Sequence, residues 1–241
     1  MTELLYQTNG YLKACAGTVV AVDGEHVELD RSVFYPTGGG QPHDTGCIVH
    51  DGVRVAVTDV RRRDGHVWHT APGHGLSPGL QVQCEVDWQR RHQLMRTHTT
   101  LHILSAIIWR DFAAPVTGGN MEPLKGRLDF EIDVVPQDFV SRVEAALQQE
   151  IRSARPVEVR ILPRDVAMQI PDLIRTKVNL LPAGIRDIRT VEIAGLDLQA
   201  DGGTHVANTR EIGTARVAGY KSKGKTFKRL RVEVLDPPSF E

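Results

Sequence analysis

Up to about residue 87 the chain alternates apolar and polar positions in short runs punctuated by Asp-Gly pairs, the pattern of strands joined by tight turns. Thr18–Val22 and His26–Leu29 are rich in β-branched residues and joined through Asp23-Gly24. Cys47–His50 and Val53–Val60 flank Asp51-Gly52, a dipeptide suited to the positive φ angles of a hairpin. Asp64-Gly65 leads into Val67-Trp68-His69, and Gln81–Val86 alternates again. The pattern predicts roughly five to seven short strands in a small barrel or curved sheet.

Near Trp88 the period changes. Gln89–Arg110 holds no Gly or Pro, Leu94, Leu101, Leu104 and Ile108 recur at helical spacing, and Asp87 can cap the first turn. Arg127–Val134 puts Leu128, Phe130, Ile132 and Val134 on one face of a strand. Gln137–Arg152 predicts a second amphipathic helix with Phe139, Val140, Val143, Leu147 and Ile151 on one side. Val157–Leu162, Ile188–Ile193, Thr214–Lys221 and Phe227–Leu235 read as further strands. The expected fold is α+β: a β-barrel-like domain over residues 1–87, then a mixed domain over 88–241 on a mainly antiparallel sheet.

Composition narrows the class. The chain has 241 residues, 41% hydrophobic and 24% charged, with a formal net charge of −1, which excludes a highly charged disordered chain. No apolar run approaches the roughly 18–20 residues that span a bilayer, so no membrane is expected. Met1–Leu5 has neither the basic stretch nor the apolar core of a signal peptide. Three cysteines, Cys15, Cys47 and Cys84, are an odd number and argue against a disulfide framework. Together these predict a cytoplasmic protein, and no obligate protein partner is evident.

Two segments carry candidate chemistry. In Arg96-Thr97-His98-Thr99-Thr100-Leu101-His102, residues four apart on a helix point the same way, so His98 and His102 present two imidazoles to one point. In Gln199-Ala200-Asp201-Gly202-Gly203-Thr204-His205, the Gly pair lets a turn approach a ligand, with Asp201 and His205 bracketing it. Together the histidines and the carboxylate can supply four zinc ligands. The plainer alternatives are a histidine pair satisfied by backbone or water, and a simple Gly-Gly turn beside a surface histidine.

Taken together, His98-x-x-x-His102 and Asp201-Gly-Gly-Thr-His205-Val-x-Asn-Thr-x-Glu-Ile-Gly resemble the editing domain of alanyl-tRNA synthetase and the free-standing alanyl-tRNA editing proteins called AlaX. Phe34-Tyr35-Pro36-Thr37-Gly38-Gly39-Gly40-Gln41-Pro42-x-Asp44-x-Gly46 is similar to the glycine-rich motif of the longer AlaX type, and Arg127-Leu128-Asp129-Phe130 to a strand of that family. The resemblance implies an aminoacyl-tRNA deacylase with one Zn²⁺ per chain. Its substrate would be mischarged tRNA(Ala), chiefly Ser-tRNA(Ala), with Gly-tRNA(Ala) a second candidate.

It also implies site residues. His98, His102, His205 and Asp201 would be the metal ligands, with Gly202, Gly203 and Thr204 lining the substrate. One departure stands out: the family usually has Cys where this chain has Asp201. Three readings stay open: Asp201 ligates the metal, orients a water or a ligand histidine from behind a three-histidine site, or marks a metal-poor, inactive site. Thr117, in the loop before the Arg127 strand, would recognise serine through its hydroxyl, with a simple turn role as the alternative. Gly38-Gly39-Gly40-Gln41 lacks the charge and following helix of a P-loop. The resemblance instead places Gly38, Gly39 and Gly40 at the edge of the editing site with Gln41 as polar contact, against a purely structural turn.

From Arg216 to Arg231 there are seven basic residues and no acidic one. Lys221, Lys223, Lys225, Lys228 and Arg229 form the candidate tRNA contact, with Lys223-Gly224-Lys225 as a hairpin tip. Arg90, Arg91 and Arg96 could extend it, whereas Arg61-Arg62-Arg63 reads as a solvated hairpin end. The rival readings are a non-catalytic tRNA- or protein-binding module with a degenerate metal site, and a zinc-dependent deacylase for another mischarged tRNA.

Overall fold

Asp51-Gly52 and Asp64-Gly65 take φ of 48° and 78°, and of 53° and 82°, the backbone a two-residue hairpin turn requires. A computed structural model of the chain describes residues 2–176, 181, 184–223 and 226–236. The chain divides into two units, Met1–Gln93 and Leu94–Glu241.

The first unit carries β1 (Glu3–Leu4), β2 (Ala14–Asp23), β3 (His26–Leu29), β4 (Arg31–Ser32), β5 (Gly46–His50), β6 (Val53–Val57), β7 (Asp59–Arg63), β8 (His66–Thr70) and β9 (Gln81–Val86). Seven of these form one sheet in the order β6-β5-β9-β2-β3-β8-β7, while β1 and β4 pair separately. Every pairing in the larger sheet is antiparallel. Its inner face buries Val19, Val27, Leu29, Phe34, Ile48 and Val60.

Of the two expected forms, a small barrel or a curved sheet, the chain takes the second. The sheet is open, with β6 and β7 as its two edges. Only Thr58 separates these strands in the chain, so the sheet must curl until its edges meet at one corner. They do not pair there, because Thr58 gives its amide to Thr70 O (2.9 Å) and extends the β7–β8 ladder instead. The same bond splits the single strand expected over Val53–Val60.

α1 (Trp88–Phe112) starts where expected: the Asp87 carboxylate accepts the Arg90 amide at 3.1 Å. The second unit continues with β10 (Val116–Glu122), β11 (Lys125–Glu131), α2 (Phe139–Arg152), β12 (Val157–Pro163), β13 (Asp187–Ile193), β14 (Asp197–Ala200), β15 (Thr214–Lys223) and β16 (Phe227–Leu235). Its sheets run β10-β11-β16-β15 and β12-β13-β14, both antiparallel. α2 buries Phe139, Val143, Leu147 and Ile151 and packs on β15. The α+β class holds.

One expected loop is a strand. Thr117-Gly118-Gly119-Asn120 lies in β10, hydrogen-bonded along β11. Glycine pairs read as turns because they supply no side chain to pack, but here a neighbour takes the space. A Cβ on Gly119 would sit 2.8 Å from Leu128 Cδ2. The register slips between Val116 and Gly118, so Thr117 is the extra residue of a β-bulge. Among the described residues, no helix is long and apolar enough to cross a membrane.

Candidate metal centre

His98 and His102 sit one turn apart on α1, while Asp201 and His205 lie on the loop that follows β14. Helix and loop meet as the spacing predicted: one potential ligand atom from each of these residues falls within 4.8 Å of all the others. Asp201 Oδ1 is 3.6 Å from His98 Nε2 and 3.9 Å from His102 Nε2, and Asp201 Oδ2 is 3.0 Å from His205 Nε2. Bonds of about 2.1 Å in a tetrahedral site put neighbouring ligands about 3.4 Å apart, so these separations bracket the need. Asp201 therefore stands with the three histidines rather than behind them.

The loop is held from its own ends. The Asp201 amide donates to Arg189 O (3.1 Å), Arg189 Nη1 donates to Asp201 O (2.8 Å), and Gly203 N donates to Asp201 Oδ2 (2.6 Å). Past His205, Asn208 and Glu211 close a reciprocal cap on a short helical turn, Thr209–Ile212. The Asn and Glu of the motif thus serve the backbone. Gly203 and Thr204 are buried and Gly202 is exposed.

Two of the three imidazoles, His102 and His205, have partners that fix their rings. His102 Nδ1 donates to Asp197 Oδ2 at 3.0 Å, and Asp197 also accepts from Arg175 Nη1 (2.5 Å) and Gln199 Nε2 (2.8 Å). The Thr99 hydroxyl donates to Met95 O at 3.0 Å, which leaves its oxygen to accept from His205 Nδ1 at 3.2 Å. Both arrangements turn a bare Nε2 inward, and one of these faces a carboxylate oxygen at 3.0 Å. Three imidazoles and a carboxylate this close together are the nitrogen and oxygen donors a zinc ion takes, so the donor set fits one.

The protonation states of His98, His205 and Asp201 suit a metal site, and His102 alone shifts the other way. Burial pushes the His98 imidazole well below its usual value, against the pull of Asp201. Burial likewise lowers His205 to about 4, with its contact to Asp201 acting the other way. Burial alone would raise Asp201, but the imidazoles around it, His98 first, outweigh this and hold the carboxyl well below its ordinary range. For His102 burial is overcome by the bond to Asp197, and its value rises.

Sequence reasoning missed Thr99, Arg175, Arg189, Asp197 and Gln199. Thr99 was legible as a helix residue one turn from His102. Arg175, Arg189 and Asp197 were not, because they meet partners 12 to 95 positions away, and Gln199 acts only through Asp197.

Elsewhere the predicted residues scatter. Gly38–Gln41 belongs to the first unit, where Gly38 and Gln41 exchange backbone hydrogen bonds (3.1 and 2.9 Å) around Gly39 and Gly40, whose φ values are 56° and 86°. That is a two-residue turn whose central positions both need positive φ. Its tip is exposed and Gln41 is buried. Asp44 of the same motif is fully buried against Arg91, whose guanidinium also donates to Val33 O (2.6 Å) and Gly10 O (2.8 Å). Arg96 is buried too, bonded to Ile212 O, Leu235 O and Asp236. Arg91 and Arg96 therefore hold the fold and do not extend a basic surface.

On β15 and β16, Lys221 and Arg231 are exposed, as are Arg61, Arg62 and Arg63 on β7. Lys228 faces inward, buried with its ammonium 3.1 Å from Ser222 Oγ, because residues 228, 230, 232 and 234 share the packed face. Arg229 is clasped by Asp129 at 2.6 and 2.7 Å, and Asp129 also accepts from Arg127. Lys225 and the side chain of Lys223 lie outside the described residues.

Comparison with known proteins covers both units. Residues 10–90 match the family model of class II (A) tRNA synthetases, and residues 188–231 match the second additional domain of threonyl and alanyl tRNA synthetases. The chain is 38% identical to the alanyl-tRNA editing protein AlaX-M of Saccharolobus solfataricus, over 95% of this chain and 98% of that protein. It is 35% identical to AlaX-M of Methanosarcina barkeri, over 98% of this chain and all of that one. The alanine–tRNA ligase of Pyrobaculum aerophilum is 34% identical over 90% of this chain, which spans 25% of the ligase.

Proposed function

This chain belongs to the AlaX-M family of alanyl-tRNA editing proteins, and from that premise we propose that it is a zinc-dependent hydrolase that deacylates mischarged tRNA(Ala), chiefly Ser-tRNA(Ala), with Gly-tRNA(Ala) a second substrate. The observation that carries the reading is the convergence of His98, His102, His205 and Asp201 within 4.8 Å, with bare imidazole nitrogens turned inward. An intact donor set speaks against the non-catalytic alternative.

His98, His102, His205 and Asp201 would hold the ion, which when bound supplies Lewis acidity for ester hydrolysis. The chain's own groups do the rest. Asp197 and Thr99 keep two imidazoles in the tautomer that leaves Nε2 free. Thr117, the bulged residue of β10, would hydrogen-bond the serine hydroxyl, and alanine entering the same place would leave that group unpaired. Lys221 and Arg231 supply exposed charge for the tRNA backbone.

The test is metal analysis of the purified protein beside deacylation of Ser-tRNA(Ala), Gly-tRNA(Ala) and Ala-tRNA(Ala). One zinc per chain with rapid loss of the seryl ester and slow loss of the alanyl ester is expected. Zinc with no hydrolysis of any of the three would favour another mischarged tRNA. No zinc and no hydrolysis would favour a binding module.

A further inference from the structure

Arg175 touches the site from an unexpected side. Its Nη1 donates to Asp197 Oδ1 at 2.5 Å, and the other oxygen of that carboxylate accepts from His102 Nδ1 at 3.0 Å. Asp197 is fully buried, so this carboxylate has no solvent to orient it and takes its direction from Arg175, Gln199 and His102. The guanidinium carbon also lies 5.9 Å from the Trp109 ring centroid. His102 and Trp109 are two turns apart on α1, so one arginine side chain spans that face of the helix. The Arg175 Nε is buried without an acceptor, so the guanidinium is directed by Asp197 rather than by saturating its own donors.

The backbone of the same residue has a second job. Arg175 O accepts the Val116 amide at 3.1 Å, and Val116 pairs with Thr176 in a parallel bridge. Val116 opens β10, and Thr117 is the bulged residue that follows it. A bulge is free to swing unless its flank is tied, and this flank is tied to Arg175.

We infer that Arg175 is a positioning residue that sets two parts of the site at once: the His102 imidazole through Asp197, and the Thr117 bulge through its own backbone. It thereby links metal retention to recognition of the amino acid. The second half rests on the editing reading given above. Neither sequence pattern nor spacing singles out this arginine.

Zinc affinity, measured by competition with a chromophoric chelator on the full chain, reads the first half. The ratio of kcat/KM for Ser-tRNA(Ala) over Ala-tRNA(Ala) reads the second. Arg175→Met should weaken zinc binding roughly 10- to 100-fold, the usual cost of losing a group that orients a ligand histidine, and should lower the ratio about tenfold, because the backbone that holds Val116 loses its side-chain anchor on Asp197. Asp197→Asn should weaken zinc binding comparably, since an amide nitrogen replaces the oxygen facing His102, and should leave the ratio within about twofold, since the remaining oxygen still accepts from Arg175 Nη1. Arg175→Lys keeps the charge and protects the fold, and should show both losses in smaller measure. A merely structural role would lower the melting temperature and leave both readouts at their wild-type values. Unchanged zinc affinity in Arg175→Met and Arg175→Lys, or an unchanged ratio in both, overturns the inference. A wild-type protein that binds zinc but hydrolyses neither ester would refute the editing reading instead, and the zinc measurements would still decide whether Arg175 sets His102.

Discussion

The Thr99 hydroxyl lies 3.2 Å from His205 Nδ1 and 3.0 Å from Met95 O, so the imidazole of one segment takes its tautomer from a helix residue 106 positions earlier. Thr99 also accepts the Val206 amide at 3.2 Å, which pins the loop itself. Thr99→Val should therefore weaken zinc binding about tenfold or more, while Thr99→Ser stays near wild type. Isothermal titration of both variants checks this. Unchanged zinc affinity in Thr99→Val would show that the hydroxyl does not support the site.

Asp201 lies within ligand distance of the three histidines, which makes its replacement informative. Asp201→Cys should restore the usual family set and hold zinc more tightly, because thiolate is the softer donor. Asp201→Ala should lose zinc affinity and rate together. Zinc titrations and Ser-tRNA(Ala) deacylation by the three proteins provide the check. Identical zinc affinity across them would remove Asp201 from the ligand set.

The basic strands separate exposed from buried charge. Replacing Lys221 and Arg231 with Gln should weaken tRNA binding and reduce its logarithmic salt slope by up to about 2, as each phosphate contact contributes about 0.9. Lys228→Ala should lower stability and leave the slope alone, since Lys228 is buried against Ser222. Filter binding across a salt series reads both. Hydrolysis of a minimal aminoacyl ester should be unchanged in the Lys221 and Arg231 variant. A larger slope change from Lys228→Ala than from that variant would reverse the assignment.

His69 gives the first unit a pH dependence. Its Nδ1 donates to Val27 O at 3.0 Å, Nε2 meets the Ser32 hydroxyl at 2.8 Å, and burial lowers its pKa from 6.5 to about 4. The unfolded chain takes up the proton first as pH falls, so the contribution is complete above about pH 6.5 and is lost progressively toward pH 4. At about 1.4 kcal/mol per unit the loss reaches about 3 kcal/mol. Urea unfolding of wild type and His69→Gln at pH 7, 5.5 and 4 isolates the term. Parallel stability curves would show that His69 has the same pKa in the folded and unfolded chain.

Much of this protein is legible in its sequence because the deciding physics is local. The Asp-Gly turns, the 3.6-residue period of α1, the alternation along β9 and β16 and the His98–His102 spacing are all set by residues within a few positions of one another, and all recur in the structure. What the tertiary structure decided is how distant groups are paired. The Thr117 segment is a strand because it pairs along β11, where Leu128 takes the space beside Gly119, and Arg91 is structural because Asp44 waits for it in the core. Lys228 turns inward because the alternation of β16 outranks its charge. Asp201 meets the three histidines, Asp197 and Thr99 bond two of them, and Arg175 bonds Asp197, through contacts spanning 4 to 106 positions. Periodicity carries the direction of a side chain on its own element, but the partner it meets depends on which elements pack together, and no local pattern encodes that.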